Sequence, residues 1–383
     1  MAADSSNRQV GVGLIAAGHF VHDVFTGYLA PLLPLLIDKL GLSLAQAGSL
    51  QVFQQLPSLA NPLLGAWLER APLRWGLALA PLGTALGMSL LGVAPSYAAL
   101  ALLLLFVGVN NSLWHVPAPV VIARVAGARV GRGMSLFMFG GELARSVGPL
   151  VAIGAVSLWG LEGIWRTLPL AMVASALLAW RLRHLPPVPA RGGAGVRAAW
   201  GEVRGVMLPI AGIIAARSAM IAAMTTFLPT LLTQEGGGLW LASGALSAVE
   251  LAGALGVATS GTLSDHLGRR TVLMGVMVLS PLLLLLFLAA SGWFLFPAVL
   301  LFGFVGLSTN PVLLALVQEH APGSPAAANG IFMLVSFLLR ALVVLLVGAV
   351  ADRVGLRQTF LVSALVGFAG LPFAAALPRR AGV

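Results

Sequence analysis

Twelve apolar stretches, each long enough for a helix that crosses a bilayer, leave few folds open to this chain. They lie near 11–37, 46–68, 75–93, 97–123, 133–158, 162–182, 205–233, 239–263, 271–290, 293–317, 326–350 and 356–377. About 20 apolar residues span the hydrocarbon core, where only helices and closed barrels satisfy their own backbone. The runs are continuous rather than alternating, which argues against a barrel. Charged residues are 9% and apolar residues 59% of the 383. That is too little polar surface for a water-soluble globule of this size. The expected fold is an all-α membrane protein with twelve transmembrane helices.

The chain carries 22 basic against 12 acidic residues, a net charge of +10. On a soluble protein this excess would suggest nucleic acid. Here position decides. Twelve spans put both termini on one side. If that side is the cytoplasm, fifteen basic residues fall inside and four (Lys39, Arg166, Arg353, Arg357) outside, while Arg145, Arg217 and Arg340 lie within spans. That bias favours cytoplasmic termini in a multi-pass inner-membrane protein, and no nucleic-acid partner is expected. There is no cysteine, so disulfides, thiolate metal sites and cysteine catalysis are excluded. The first span carries His19, His22 and Asp23 and lacks a small-residue cleavage site, so it is not read as a signal peptide.

The stretch 183–204 is the longest hydrophilic one, rich in Pro, Gly and Arg, and follows the sixth span. It reads as a cytoplasmic linker between an N-terminal half, 1–182, and a C-terminal half, 205–383. The halves repeat one another. Gly65 to Arg74, with Glu69 and Arg70, aligns with Gly261 to Arg270 at an offset of 196, which also pairs Gly48 with Gly244 and Gln54 with Glu250. Gly13-Leu-Ile-Ala-Ala matches Gly212-Ile-Ile-Ala-Ala, and Gly154-Ala-Val echoes Gly348-Ala-Val. Two six-helix halves with parallel topology place a central site near the bilayer midplane.

Gly261-Thr-Leu-Ser-Asp265-His-Leu-Gly268-Arg269-Arg270 closely resembles the loop signature between helices 8 and 9 of the major facilitator superfamily. The copy between helices 2 and 3 is degenerate, with Glu69 for the usual aspartate and Pro72-Leu73 for a glycine-basic pair. Gly140-Gly141 and Gly148-Pro149 resemble the antiporter pattern of the fifth helix. Around His19-Phe20 to Asp23, Asn110 to His115-Val-Pro and Phe139 to Pro149, the chain is similar to the fosmidomycin-resistance branch of bacterial drug exporters. The resemblance implies two pseudo-symmetric halves, alternating access and a monomer. It also implies gating by Gly261, Asp265, Gly268, Arg269, Arg270, Glu69, Arg70 and Arg74, a network that stabilises the outward-open state. Arg269 and Arg270 can bridge to a carboxylate across the halves; the alternative is positive charge that only sets topology.

Ionisable groups at membrane depth mark a site or a structural pair. His19, His22 and Asp23 stand at i, i+3 and i+4, on one helix face. A carboxylate beside imidazoles suits proton binding; a polar packing cluster and a metal site built from His19, Asp23 and His115 are the alternatives. Glu142 and Arg145, at i and i+3, form either a fixed pair or one that substrate and proton contest. Arg217 and Arg340 lack acidic neighbours in their own turns, and Glu250 can partner either. They serve internal neutralisation or coordination of an anionic substrate group. Asn110, His115 and Asn310 supply polar lining, and Pro117, Pro119 and Pro311 can bend their helices.

The expectation is a secondary transporter, not an enzyme, that exports a small anionic or amphipathic compound by proton antiport. Asp23, His22 and Glu142 take the proton. His19, Asn110, His115, Arg145, Arg217, Glu250, Asn310 and Arg340 take the substrate. No cofactor or resident metal is expected, and with no Gly-x-x-x-x-Gly-Lys loop the energy comes from an ion gradient. The alternatives are proton-coupled uptake of an organic anion and divalent-metal export through the His/Asp cluster.

Overall fold

The computed structural model of the chain describes residues 2–61, 73–126, 130–183, 196–323 and 325–378, and these contain helices and no strand. In chain order the α-helices are α1 (Ala2–Thr26), α2 (Leu29–Leu40), α3 (Leu44–Gln55), α4 (Leu73–Ser89), α5 (Tyr97–His115), α6 (Ala118–Ala126), α7 (Val130–Trp159) and α8 (Leu168–Leu182). They continue with α9 (Val196–Ala222), α10 (Leu228–Gln234), α11 (Leu239–Leu267), α12 (Arg269–Ala289) and α13 (Leu295–Gly306). Last come α14 (Thr309–His320), α15 (Pro325–Val354), α16 (Leu356–Phe368) and α17 (Gly370–Ala376). Among the described residues eleven helical segments are long and apolar enough to cross a membrane. The second expected span, near 46–68, is described only to Asn61. The architecture is the twelve-helix membrane fold.

Several spans are broken, and proline accounts for where. A proline lacks the N–H that would bond the carbonyl four residues earlier, and its ring crowds that carbonyl. Pro31 leaves Gly27, and the first span turns at Gly27–Tyr28 between α1 and α2. Pro229 leaves Thr225, inside the π-helical segment Ala223–Phe227 that joins α9 to α10. Pro119 leaves His115, the last residue of α5, and Pro311 leaves Leu307, in the gap between α13 and α14. The first and fourth spans of both halves are therefore interrupted.

The chain forms two compact units, one of Met1–Leu42 with Leu50–Arg191, the other of Ser43–Ser49 with Gly192–Val383. The first packs Ile15, Leu77, Trp114, Ile122, Phe137 and Leu178 into a common core. The second packs Val203, Ile210, Ile213, Leu273, Met277 and Leu313. Because Ala199 and Val203 are fully buried in that core, α9 begins at Val196, inside the stretch expected as linker. The segment Ser43–Ser49 groups with the second unit, where Asp352 Oδ1 accepts from the Leu44 N–H (2.6 Å) and Oδ2 from the Ala45 N–H (3.0 Å). A carboxylate satisfying two free donors at a helix N-terminus is a charge-assisted cap.

Each unit also carries a three-part staple, with the charges exchanged. In the first, Lys39 Nζ donates to Gly92 O (2.7 Å) and Glu162 Oε1 (2.9 Å). In the second, Arg357 donates to Leu288 O (2.6 Å) and Glu235 Oε1 (2.6 Å). The offset of 196 carries Lys39 onto Glu235 and Gly92 onto Leu288. The duplicated fold has thus kept the contact and inverted its polarity.

Glycine permits a close helix crossing in the second unit. A Cβ on Gly256 of α11 would collide with the Phe304 carbonyl of α13, backbone that cannot swing aside, whereas one on Gly261 meets nothing within 4 Å. Gly256→Ala is expected to cost about 1–3 kcal/mol in thermal or denaturant unfolding. Gly261→Ala should leave stability near wild type; equal effects would contradict this account of the crossing.

Candidate functional site

In the first unit, His19, His22 and Asp23 lie on the buried face of α1, as their spacing predicts, and His115 meets them from the end of α5. Asp23 Oδ1 is 2.8 Å from His22 Nδ1 and 3.4 Å from His115 Nε2, while Oδ2 is 3.2 Å from His19 Nε2. Three imidazoles thus surround one carboxylate. Glycines on α7 make the room. A Cβ at Gly141 would fall 2.5 Å from the His19 ring, and one at Gly140 2.7 Å from Ala16 O.

The hydrogen-bond pattern assigns the tautomers. His19 Nδ1 is 2.7 Å from Phe137 O, and a carbonyl only accepts, so the proton is on Nδ1. The ring lies stacked on Phe137, centroids 4.0 Å apart. Nε2 then points at Asp23 within ion-pair range but off the line of a hydrogen bond. A lone pair facing an ionised carboxylate repels it; a proton shared by His19 and Asp23 removes the repulsion. His22 is fully used as a neutral ring. Nδ1–H donates to Asp23, Nε2 lies 3.0 Å from the Thr84 hydroxyl, the ring stacks on Trp114, and full burial favours the neutral form in which Thr84 is the donor. One donor each from His19, Asp23 and His115 lies within 4.8 Å of the others, close enough to share a metal ion after a small contraction.

The second unit carries a different chemistry at an equivalent place. Arg217, buried on α9, donates from Nη1 to Asn310 Oδ1 (3.1 Å) and from Nη2 to Gly306 O (3.2 Å). Gly306 ends α13 and Asn310 lies in the first turn of α14, so the guanidinium binds across the break in the tenth span. Its Nε is buried without a hydrogen-bond partner. Arg340 on α15 donates from Nε to Ser336 O (3.2 Å). Neutral acceptors thus hold a fully charged group at membrane depth, an environment that favours an added anion.

Glu142 and Arg145 pair within α7, where Pro149 leaves the Arg145 carbonyl without its usual donor. Asn110 donates to Phe106 O (2.8 Å) in its own helix, and its amide fills the space over Gly83. Glu250 is half-buried on α11. In the loop signature, Arg269 pairs with Asp265 (2.6 Å) and Glu319 (2.9 Å), bonds to the Ser264 hydroxyl and reaches Gly261 O (3.4 Å). Gly268 turns the chain there at φ +87°. Both carboxylates belong to the second unit, so the bridge expected across the halves closes within one of them for Arg269; Arg270 is half-buried. Glu69 and Arg70, and the side chain of Arg74, lie outside the described residues.

The profile of the Major Facilitator Superfamily matches residues 15–344. The chain belongs to this superfamily. It is 26% identical to the fosmidomycin resistance protein of Escherichia coli (strain K12), over 97% of this chain and 94% of that one. It is 23% identical to the uncharacterized MFS-type transporter YfnC of Bacillus subtilis (strain 168), over 94% and 90%. In fold it is similar to a bacterial homologue of the human lysosomal transporter Spinster (TM-score 0.81, 14% identity, 96% of both chains). The nucleoside transporter NupG is also similar (TM-score 0.75, 16% identity, 97% of this chain and 99% of that one).

Sequence reasoning missed Thr84, Glu319 and the carbonyls of Phe137 and Gly306. Thr84→Val removes the donor that fixes His22 Nε2 and leaves that atom buried and unpaired. It is expected to cost about 1–3 kcal/mol in thermal unfolding, with Thr84→Ser close to wild type. A neutral Thr84→Val would contradict the tautomer assigned to His22.

Proposed function

We propose that this superfamily member is a secondary active transporter of the inner membrane, with cytoplasmic termini, that exports a small anionic or amphipathic compound in exchange for protons by alternating access. The observation that carries this reading is the Asp23 carboxylate among three imidazoles, with a geometry that calls for one shared proton. Asp23 carries the coupling proton and His22 orients the carboxylate as a fixed neutral donor. Glu142, pre-paired with Arg145, is a second carboxylate available to protonation.

Arg217, with Arg340 and Asn310, takes the negative group of the substrate, since the acceptors that hold Arg217 are neutral. His19, Asn110, His115, Arg145 and Glu250 complete the polar lining. The loop signature from Gly261 to Arg270 sets the balance between conformations. The relative named for fosmidomycin resistance supports efflux of a drug-sized compound and makes fosmidomycin a rational first probe. The superfamily's habit supports a monomer.

The test is reconstitution in liposomes with an imposed pH gradient and a panel of organic anions that includes fosmidomycin. Substrate-dependent proton flux should vanish in Asp23→Asn, and Arg217→Gln should weaken anion binding by about ten-fold or more. Coupling that survives Asp23→Asn removes that residue from the mechanism. Anion binding unchanged in both Arg217→Gln and Arg340→Gln makes the arginines structural.

The spacing of His19, Asp23 and His115 favours one second reading, passage of a divalent metal. Zinc-dependent thermal stabilisation that is lost in His19→Ala would favour the metal.

A further inference from the structure

We infer that His115 is the proton relay between the accessible surface of the first unit and Asp23. This rests on the proton-coupling reading and assigns to His115 a role distinct from substrate lining. Of the four groups in the cluster, three are closed off: side-chain exposure is 5% for His19, 0% for His22 and 8% for Asp23. That of His115 is 37%, and its Nε2 stands 3.4 Å from Asp23 Oδ1. A proton travelling to Asp23 through these side chains passes His115.

The other imidazoles are poor carriers for a geometric reason. His19 is held by Phe137 O and stacked on that residue's ring; His22 is held at both nitrogens and stacked on Trp114. His115 meets both only edge-on, at 5.2 Å and 74° to His19 and 5.4 Å and 89° to His22. It is also the last residue of α5. Exposed on one side and held by neither a carbonyl nor a stacked ring among the described contacts, the imidazole is placed to turn, and a small rotation closes the gap to Asp23. Among the described residues the titratable groups facing it are His19, His22 and Asp23 from α1, while on α7 the charged Glu142 and Arg145 pair with each other.

Transfer conserves one proton. A hydronium at the accessible side protonates Nδ1 of neutral His115. The Nε2–H bond then breaks as an Oδ1–H bond forms on Asp23, leaving a neutral ring with its proton on Nδ1. Reversal of these steps releases the proton.

The test uses the full chain in detergent and needs no transported substrate. The carboxylic C=O band of Asp23, identified as the infrared band absent from Asp23→Asn, is followed after a jump from alkaline to acid buffer. His115→Ala and His115→Gln should slow its appearance by about ten-fold or more with the final amplitude kept. Free imidazole should restore the rate in His115→Ala, where it fits the vacated space, and leave wild type unchanged. An unchanged rate in both variants overturns the proposal, as does a slowed rate that imidazole does not restore, the mark of a merely structural residue. Absence of any such band in wild type defeats the coupling reading itself, a separable result.

Discussion

A helix inside lipid that loses a backbone hydrogen bond must recover it from something other than water. The structure depends on how this chain meets that requirement. Prolines interrupt the first and fourth spans of each half, and the polar groups that matter gather at those interruptions. Asp23 lies one turn before the Gly27–Tyr28 break and His115 at the end of α5. Arg217 stands just ahead of the π-helical segment and binds the carbonyl and the amide on either side of the α13–α14 break. The breaks make the site possible, because a straight helix would offer neither a free carbonyl nor room beside it.

The two units use one plan for two chemistries. In each, a charged residue of the first span meets a polar residue at the break of the fourth. The first unit assembles an acid with three bases, suited to moving a proton. The second assembles a guanidinium with neutral acceptors, suited to holding an anion. The staples at Lys39 and Arg357 follow the same logic on a smaller scale, keeping the contact while exchanging the charges. Exposed pairs of this kind contribute little individually, about 0–1 kcal/mol, so they fix geometry more than they stabilise.

Much of this was legible before any coordinates. The apolar runs set the span count, and the offset of 196 set the repeat. Residues i, i+3 and i+4 apart on α1 had to share a face, so His19, His22 and Asp23 were readable together. His115 was readable as polar but not as their partner, because its contact with Asp23 joins residues 92 positions apart, a pairing no local periodicity encodes. Thr84 carried no signal, since a threonine in an apolar helix is ordinary. The Phe137 and Gly306 carbonyls are invisible to any reading of side chains. Asn110 was readable as a polar group within a span, but not that its amide packs over Gly83. The loop signature holds one partner of Arg269, Asp265, but not the other, Glu319, which lies 50 positions further along the chain.

The central claim is that one exchangeable proton lives on the cluster of Asp23, His19 and His115 while His22 stays neutral and fixed. Nitrogen-15 NMR of the histidine side chains, recorded across a pH titration in wild type and Asp23→Asn, tests it most directly. The account predicts His22 neutral with its proton on Nδ1 throughout, His19 protonated at Nδ1 in every state, and ring signals of His19 and His115 that change when Asp23 is neutralised. An imidazolium at His22, or ring signals of His19 and His115 identical in wild type and Asp23→Asn, would contradict it.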